Sequence, residues 1–463
     1  MQKLIRALFN RVSLVILAIL AQMAIFVIIV LKFSDYFVIF DSIFTVLSLF
    51  VVVYILNLRS DPTYKIAWII PIMLFPVFGG LFYLMVGETG VSRRMKVNMH
   101  EITDKMKECL EQDPETFNML EEENNLAYNQ AKYIEKYSLC PVYNNSATEF
   151  YPSGELFHEH LLEALRKAEK YIFLEFFIID EGVMWNSILD ILVEKVKKGL
   201  DVRVVYDDVG CVFKLPSYYD KKLEGMGIKC CVFNPFVPVL SFRLNNRDHR
   251  KIAVIDGKAA FTGGVNIADE YINKHQKFGH WRDSAIQIKG DAVWSLTVMF
   301  LSMWCFLKKT QEDYSKFKPS ELEKEIECDG YVQPFDDSPL DNEHVGETVY
   351  MNLINQAEKY IYIETPYLIE DNKMMVALSI AAKRGVDVRI LIPHIPDKWY
   401  AFAVTQSNYE ELLESGVSIY EYTPGFNHGK TFVVDDSYAV VGTINLDYRS
   451  LYLHFECGVW MYN

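Results

Sequence analysis

Three things are scarce in this chain, and each scarcity closes off a class of function. Its eight cysteines (109, 140, 211, 230, 231, 305, 328 and 457) include no C-x-x-C pair. That excludes the common zinc and dithiol spacings and any small disulfide framework, and leaves reduced thiols in a cytosol-facing body. Basic charge is short as well: 46 Lys and Arg stand against 61 acids, a formal net charge of −15. A nucleic-acid-binding surface carries a basic field, so no nucleic-acid partner is expected. The third scarcity is local, since Val12–Leu31 holds no charged side chain.

Twenty helical residues cover roughly 30 Å, the thickness of bilayer hydrocarbon. Val12–Leu31 is therefore a candidate span, and Phe37–Leu58 is a second, with Asp41 near one end. A second span only five residues later argues against a cleaved signal peptide. Lys3, Arg6 and Arg11 precede the pair, Arg59 and Lys65 follow it, and the turn carries only Lys32 and Asp35. The positive-inside rule then gives a hairpin with both ends in the cytoplasm. Ile66–Met85 is apolar but broken by Pro71, Pro76, Gly79 and Gly80, and Arg93, Arg94 and Lys96 follow it. That pattern predicts a re-entrant or interfacial segment rather than a third span. Residues 1–86 carry six Lys and Arg against three acids, which leaves −18 for the remainder, an acidic body on a basic anchor.

What the chain does have is duplication. His249-Arg250-Lys251, Asp256 and Gly263-Gly264-Val265-Asn266 return as His428-Gly429-Lys430, Asp435 and Gly442-Thr443-Ile444-Asn445. Both copies read H-x-K-x4-D-x6-G-[GT]-x-N. On an extended strand, residues two apart share a face, so each His is presented beside its Lys. The apolar run after each Lys predicts a buried strand that fixes the pair. Two imidazoles, two ammonium groups and two amides suit a phosphodiester. Lysines and Asn266 and Asn445 can hold phosphoryl oxygens, one imidazole can attack phosphorus, and the other can protonate the departing alcohol. Asp256 and Asp435 end their strands and read as structural anchors within the motif.

The repeat extends beyond the motifs. Ala168-Glu169-Lys170-Tyr171-Ile172-Phe173-Leu174-Glu175 is echoed by Ala357-Glu358-Lys359-Tyr360-Ile361-Tyr362-Ile363-Glu364. Lys198–Val205 is echoed by Arg384–Leu391. Each half reads helix, strand, helix, strand and motif strand, an α/β pattern. One H-x-K per copy makes chemical sense when the copies face each other across one phosphate. Glu175 and Glu364 share a register that could line the cleft. An imidazole needs an acceptor to fix its tautomer, and Asp283 and Glu456 lie at similar distances beyond the two motifs. His275, His280, His394 and His454 have no repeated partner and read as loop or interior groups.

At the duplicated motif the chain resembles the phospholipase D superfamily. The flanks narrow this to a resemblance to bacterial cardiolipin synthases. The runs that carry it are Asn246–Lys251, Gly263–Tyr271, Phe278–Asp283, Thr365-Pro366-Tyr367 and Asn445–Ser450. The resemblance implies an α/β fold of two pseudo-twofold-related halves forming one bilobal catalytic body behind a transmembrane hairpin. The hydropathy and charge pattern gives an anchor at 1–98, with spans at 12–31 and 37–58 and the re-entrant segment at 66–85. A helical linker at 99–136, polar and acidic and read as a solvated face, follows, then halves at 137–325 and 326–463. The resemblance implies a catalytic set of His249, Lys251, Asp256, His428, Lys430 and Asp435, with an acid in each half, Asp283 and Glu456, bonded to the motif histidine. The implied reaction moves a phosphatidyl group from one phosphatidylglycerol to the hydroxyl of another through a phosphatidyl-histidine on His249, and no metal or other cofactor is expected. The implied location is the bacterial cell membrane, with the body on the cytoplasmic side. Relatives generally continue some tens of residues past the region matching His454–Tyr462, and an Ala is common where Gly429 stands. A hydrolytic phospholipase D would use the same residues with water as acceptor. A membrane-tethered nuclease fits the acidic body poorly, and a non-catalytic scaffold would show decay in one motif copy.

Overall fold

The computed structural model describes residues 37–58, 62–76, 103–235, 246–319, 330–341 and 343–463, less 370–371, with isolated positions elsewhere. The chain divides into one unit of Met1–Val91 with Asn234–Asn246 and another of Ser92–Phe233 with Arg247–Asn463.

In the first unit, α1 (Phe37–Asn57) coincides with the second expected span and α2 (Pro62–Leu74) follows it. Taken over the described residues, no helix is long and apolar enough to cross a membrane. The first expected span, 12–31, lies outside those residues apart from isolated positions. Val51 and Ile55 of α1 pack with Ile72 and Tyr83. A Cβ on Gly79 would sit 2.5 Å from Ile72 Cα, and one on Gly80 would sit 2.7 Å from Ser48 Oγ. Gly79 thus approaches α2, and Gly80 approaches α1, more closely than a side chain would allow.

After a helical stretch at 103–109, the second unit has α3 (Pro114–Glu123) and α4 (Asn125–Ser138), capped by Asp113 and Asn124. The sequence reading of 99–136 as a solvated linker needs correcting here. Leu120, Ala127, Ala131 and Ile134 are wholly buried in the hydrophobic core of the second half. Gln333 also donates to the Ala131 and Cys140 carbonyls at 3.0 and 2.8 Å. The apolar positions of these helices recur three to four residues apart, and it is the later half of the chain that covers them.

The first half runs β1 (Ser146–Tyr151), α5 (Gly154–Lys167), β2 (Tyr171–Phe176), α6 (Val183–Lys197), β3 (Asp201–Asp207), α7 (Tyr219–Gly225) and β4 (Lys229–Phe233). It continues through β5 (Arg247–Asp248), β6 (Lys251–Ile255), β7 (Ala259–Gly263), β8 (His280–Arg282), β9 (Ala285–Gly290) and α8 (Val293–Lys308). The second half runs β10 (Tyr331–Asp337), α9 (Val345–Gln356), β11 (Tyr360–Glu364), β12 (Leu368–Ile369), α10 (Asn372–Lys383), β13 (Asp387–Pro393), α11 (Trp399–Ser407) and β14 (Ser418–Tyr422). It ends with β15 (Gly425–Asn427), β16 (Thr431–Val434), β17 (Tyr438–Gly442), β18 (Leu446–Asp447) and β19 (His454–Tyr462).

One sheet has the order β1-β9-β7-β6-β2-β3-β4, the other β10-β19-β17-β16-β11-β13-β14. Replacing each strand by its repeat partner converts one list into the other, so the duplication read in the sequence is a duplication of topology. In each half the first two echoed strands pair in parallel and the motif strand runs antiparallel beside them. Lys251 therefore pairs with Phe176 at the carboxyl end of β2, and Thr431, next to Lys430, pairs with Glu364 at the carboxyl end of β11. The motifs thus sit at the ends of the parallel strands where open α/β sheets place their sites.

Candidate active site

Two short strand pairs cross between the halves and build the site. β5 lies parallel to the start of β19, with Asp248 opposite Phe455, and the His249 amide donates to the Phe455 carbonyl at 2.9 Å. The next residue on that strand is Glu456, and the His249 Nδ1 is 2.9 Å from both of its carboxylate oxygens. The mirror arrangement joins β15 to β8, with Asn427 opposite Arg282 and the His428 amide donating to the Arg282 carbonyl at 2.7 Å. There the next residue is Asp283, and its Oδ2 lies 2.8 Å from His428 Nδ1. Each motif histidine is oriented by the acid of the opposite half.

Both acids are held from more than one side. Glu456 is fully buried and accepts from the Thr443 hydroxyl at 2.6 Å. Asp283 accepts from the Ser284 amide at 2.9 Å and from the Trp281 indole at 3.2 Å. At the repeat position of Thr443 stands Gly264, where a Cβ would come within 2.0 Å of Asp283 Oδ1 and 2.8 Å of the His428 carbonyl. In both copies this position meets the acid of its own half, Thr443 through a hydrogen bond and Gly264 by leaving Asp283 room. Phe177 lies edge-on to His249 with centroids 5.0 Å apart, and Tyr271 lies edge-on to His428 at 5.6 Å. The two lysines are buried and each donates through Nζ to the carbonyl of its own motif histidine.

Burial dominates the electrostatics. It pushes the His249 imidazole down to about 3 and the His428 imidazole down to about 4, against the pull of Glu456 and Asp283. Both rings are neutral near pH 7. Burial alone would raise Glu456, but His249, His454 and Lys251 around it hold it well below the usual carboxylate range. A carboxylate at Nδ1 can only accept, so the ring proton sits on Nδ1 and the Nε2 lone pair is free. Burial also lowers Lys251 to about 8 and Lys430 to about 7, with Lys251 adding to the effect on Lys430. Both lysines are buried, and a bound phosphodiester anion would favour their charged forms.

The remaining sequence candidates divide. Asp256 and Asp435, which the resemblance places in the catalytic set, have the contacts of the structural anchors that their strand-end positions suggest. Asp256 accepts the backbone amides of Glu169, Lys170 and Tyr171 at 2.7–2.8 Å, and Asp435 those of Glu358, Lys359 and Tyr360 at 2.7–2.9 Å. Both sit beyond the far end of the motif strand at positive φ, 55° and 54°, where a short polar side chain is tolerated. They tie the strand down and have no free oxygen to offer chemistry. Asn266 is largely used internally, accepting from the Ile178 amide at 3.0 Å and donating to the Tyr271 hydroxyl at 2.8 Å. Asn445 differs, since its buried Oδ1 has no hydrogen-bond partner.

Glu175 is buried 2.6 Å from Arg250, and Glu364 lies 2.6 Å from Arg282 of the other half, so neither glutamate is a free group in the cleft. His280 meets the Tyr422 hydroxyl at 3.0 Å and His394 meets Glu421 at 2.6 Å, both on the surface. His454 sits nearer the chemistry than its lack of a repeat partner suggested, with Nδ1 3.6 Å from Glu456. His249, His454 and Glu456 place potential metal-ligand atoms within 4.8 Å of one another, although Glu456 already engages His249 Nδ1. Thr443, Trp281, Phe177 and Tyr271 have no role assigned from the sequence, although Thr443 lies in the second motif and Tyr271 and Trp281 lie in the runs that carry the resemblance.

The family model described as "Cardiolipin synthase, PLD-like domain" matches residues 161–304 and 350–463, and one described as "Phospholipase_D-nuclease N-terminal" matches residues 46–88. An uncharacterized protein of Streptococcus mutans is 47% identical over 413 residues, covering 89% of each chain. Proteins named cardiolipin synthase from Alkalihalophilus pseudofirmus and Halalkalibacterium halodurans are each 35% identical, covering 91% of this chain and 84% of theirs. Among solved structures, the phosphatidylserine synthase of Haemophilus influenzae aligns with a TM-score of 0.53 at 18% identity. It covers 72% of this chain and 87% of that one, a likeness of fold.

Proposed function

The chain belongs to the phospholipase D-like cardiolipin synthase family, and from that premise we propose how this site carries out phosphatidyl transfer. The donor is phosphatidylglycerol. Its phosphodiester sits between the two imidazoles, with Lys251, Lys430 and the amide of Asn445 on the non-bridging oxygens. His249 Nε2 attacks phosphorus. The bond to the glycerol oxygen breaks, and His428 Nε2 delivers the proton that oxygen needs, so glycerol leaves neutral and a phosphatidyl-histidine remains. A second phosphatidylglycerol then presents its primary hydroxyl. His428 takes the hydroxyl proton, the oxygen attacks phosphorus, and the P–N bond breaks to return His249. The products are cardiolipin and glycerol, and the protons balance across the two steps.

The observation that carries this reading is the crossed pairing. Each histidine is locked in the Nδ1–H tautomer by an acid from the opposite half, which leaves two Nε2 lone pairs beside two buried lysines. His428 can protonate the leaving oxygen only if phosphate binding raises its pKa. The anion does so by offsetting the repulsion of Lys430 and Lys251 that helps to depress it. Asp283 and Glu456 act through the histidines and Asn266 through Tyr271. The anchor is proposed as a cytoplasm-facing hairpin with spans at 12–31 and 37–58. It is supported by the charge asymmetry around those segments and by the N-terminal family match. Incubating the purified full chain with phosphatidylglycerol vesicles and weighing the products by mass spectrometry tests the reading. Cardiolipin with equimolar glycerol is expected. Phosphatidic acid as the main product would replace the lipid acceptor by water.

A further inference from the structure

The four most exposed aromatic side chains described in the catalytic unit lie on, or at the end of, two loops that are repeat counterparts. Phe213 and Tyr218, both 81% exposed, lie between β3 and α7, and Trp399 and Tyr400, at 79% and 56%, begin α11 where the loop after β13 ends. Large aromatics left in water at matching places on both halves call for a partner. Both loops leave the carboxyl ends of strands adjacent to β2 and β11, the end of the sheets that carries the histidines.

Each loop is tied to one half of the site. A Cβ on Gly210 would lie 2.0 Å from the carbonyl of Phe177, whose ring lies edge-on to His249. In the other half, the amides of His394 and Ile395 both donate at 3.2 Å to the Gly425 carbonyl, at the head of the strand that delivers His428.

Resting on the phosphatidyl-transfer reading, we propose that Phe213, Tyr218, Trp399 and Tyr400 form a split rim that inserts into the bilayer interface. Diacyl substrates then pass from the leaflet to the histidines without crossing water. Trp and Tyr favour that interface because they are apolar with one polar end. The neighbouring lysines do not make the rim an electrostatic dock. Lys214 is paired with Asp180 and Glu270, Lys222 with Glu181, and Lys398 with Asp397. Insertion is therefore apolar, which also suits a body of net charge −18 beside an anionic leaflet.

The test uses the full chain in phosphatidylglycerol vesicles doped with acyl-brominated phosphatidylcholine. Trp399→Phe should remove a bromine-quenched part of the tryptophan emission, and Phe213→Trp should add one. Replacing all four aromatics by Ala should raise the apparent KM on vesicles about tenfold, the effect of about 1.4 kcal/mol of lost insertion. Turnover on short-chain phosphatidylglycerol dispersed as monomers should be unchanged. Emission from positions 213 and 399 that bromine does not quench, or vesicle kinetics unmoved by the fourfold change, would overturn the rim. Quenching is read without catalysis. A wild-type chain that is quenched but makes no cardiolipin from either substrate would instead refute the transfer reading and leave the rim standing.

Discussion

Replacing Glu456 by Gln keeps the shape of the side chain and removes its charge. Glu456 is fully buried, lies 2.9 Å from His249 Nδ1 through both oxygens, and takes the Thr443 hydroxyl at 2.6 Å. A glutamine can turn an N–H toward Nδ1, which moves the ring proton to Nε2 and removes the lone pair needed for attack. The same tautomer error in a Ser-His-Asp triad lowers turnover by about 10⁴, and the expectation here is a fall in kcat of about 10³–10⁴. Glu456 does not touch the lipid, so KM should move little. Two charge-assisted hydrogen bonds become neutral ones, worth about 1.5–3 kcal/mol each before and about 0.5–1.5 after. The variant should still fold, with a somewhat lower denaturant midpoint. The assay is initial-rate cardiolipin formation at varied surface concentration of phosphatidylglycerol, with circular dichroism as the fold control. A fall in kcat of less than tenfold in a folded variant would refute the claim that this carboxylate sets the histidine.

Three other predictions follow from particular contacts. Gly264→Ala pushes a methyl to within 2.0 Å of Asp283 Oδ1 and should displace that acid from His428. Activity should drop at least about a hundredfold, while Gly429→Ala, which meets only the end of the Glu364 side chain and the Ser284 hydroxyl, should cost far less. Arg250→Ala leaves Glu175 as an unpaired buried acid and should destabilise the body by about 3–5 kcal/mol, read from the denaturant midpoint, with Glu175→Gln in the same chain recovering part of the loss. Stability should fall as pH drops from 6.5 toward 4. There the unfolded histidines, near 6.5, bind protons that native His249 and His428, held down to about 3 and about 4, do not. The two groups set a limiting slope of about 2.7 kcal/mol per pH unit. A His249→Asn, His428→Asn variant should lose that part of the acid sensitivity, and identical pH dependence in the two proteins would count against buried neutral imidazoles.

Much of the site could be read before any coordinates, because its chemistry sits in residues that occur twice at fixed spacing. The α/β order of each half was equally plain, since the echoed strands are continuous apolar runs. The crossing of the acids was not. It depends on β5, β8 and β15, two or three residues long, too short to leave a periodic signature, and on pairings between segments more than 140 residues apart. The membership of α3 and α4 in the second half was hidden for a similar reason, since their apolar positions are covered by chain that comes some 200 residues later. Asn266 and Asn445 looked equivalent from spacing alone. The Tyr271 hydroxyl takes the amide N–H of Asn266, whereas the buried Oδ1 of Asn445 has no partner.

The central claim is that two halves make a single reaction centre for one phosphorus. Rapid acid-free quenching of the full chain with phosphatidylglycerol labelled in the phosphate, followed by proteolysis and mass spectrometry, counts the phosphatidyl groups per chain and locates them. The account predicts at most one per chain, on the peptide containing His249, and none in His249→Ala. Two groups on one chain, one on His249 and one on His428, would mean two independent sites and would contradict it.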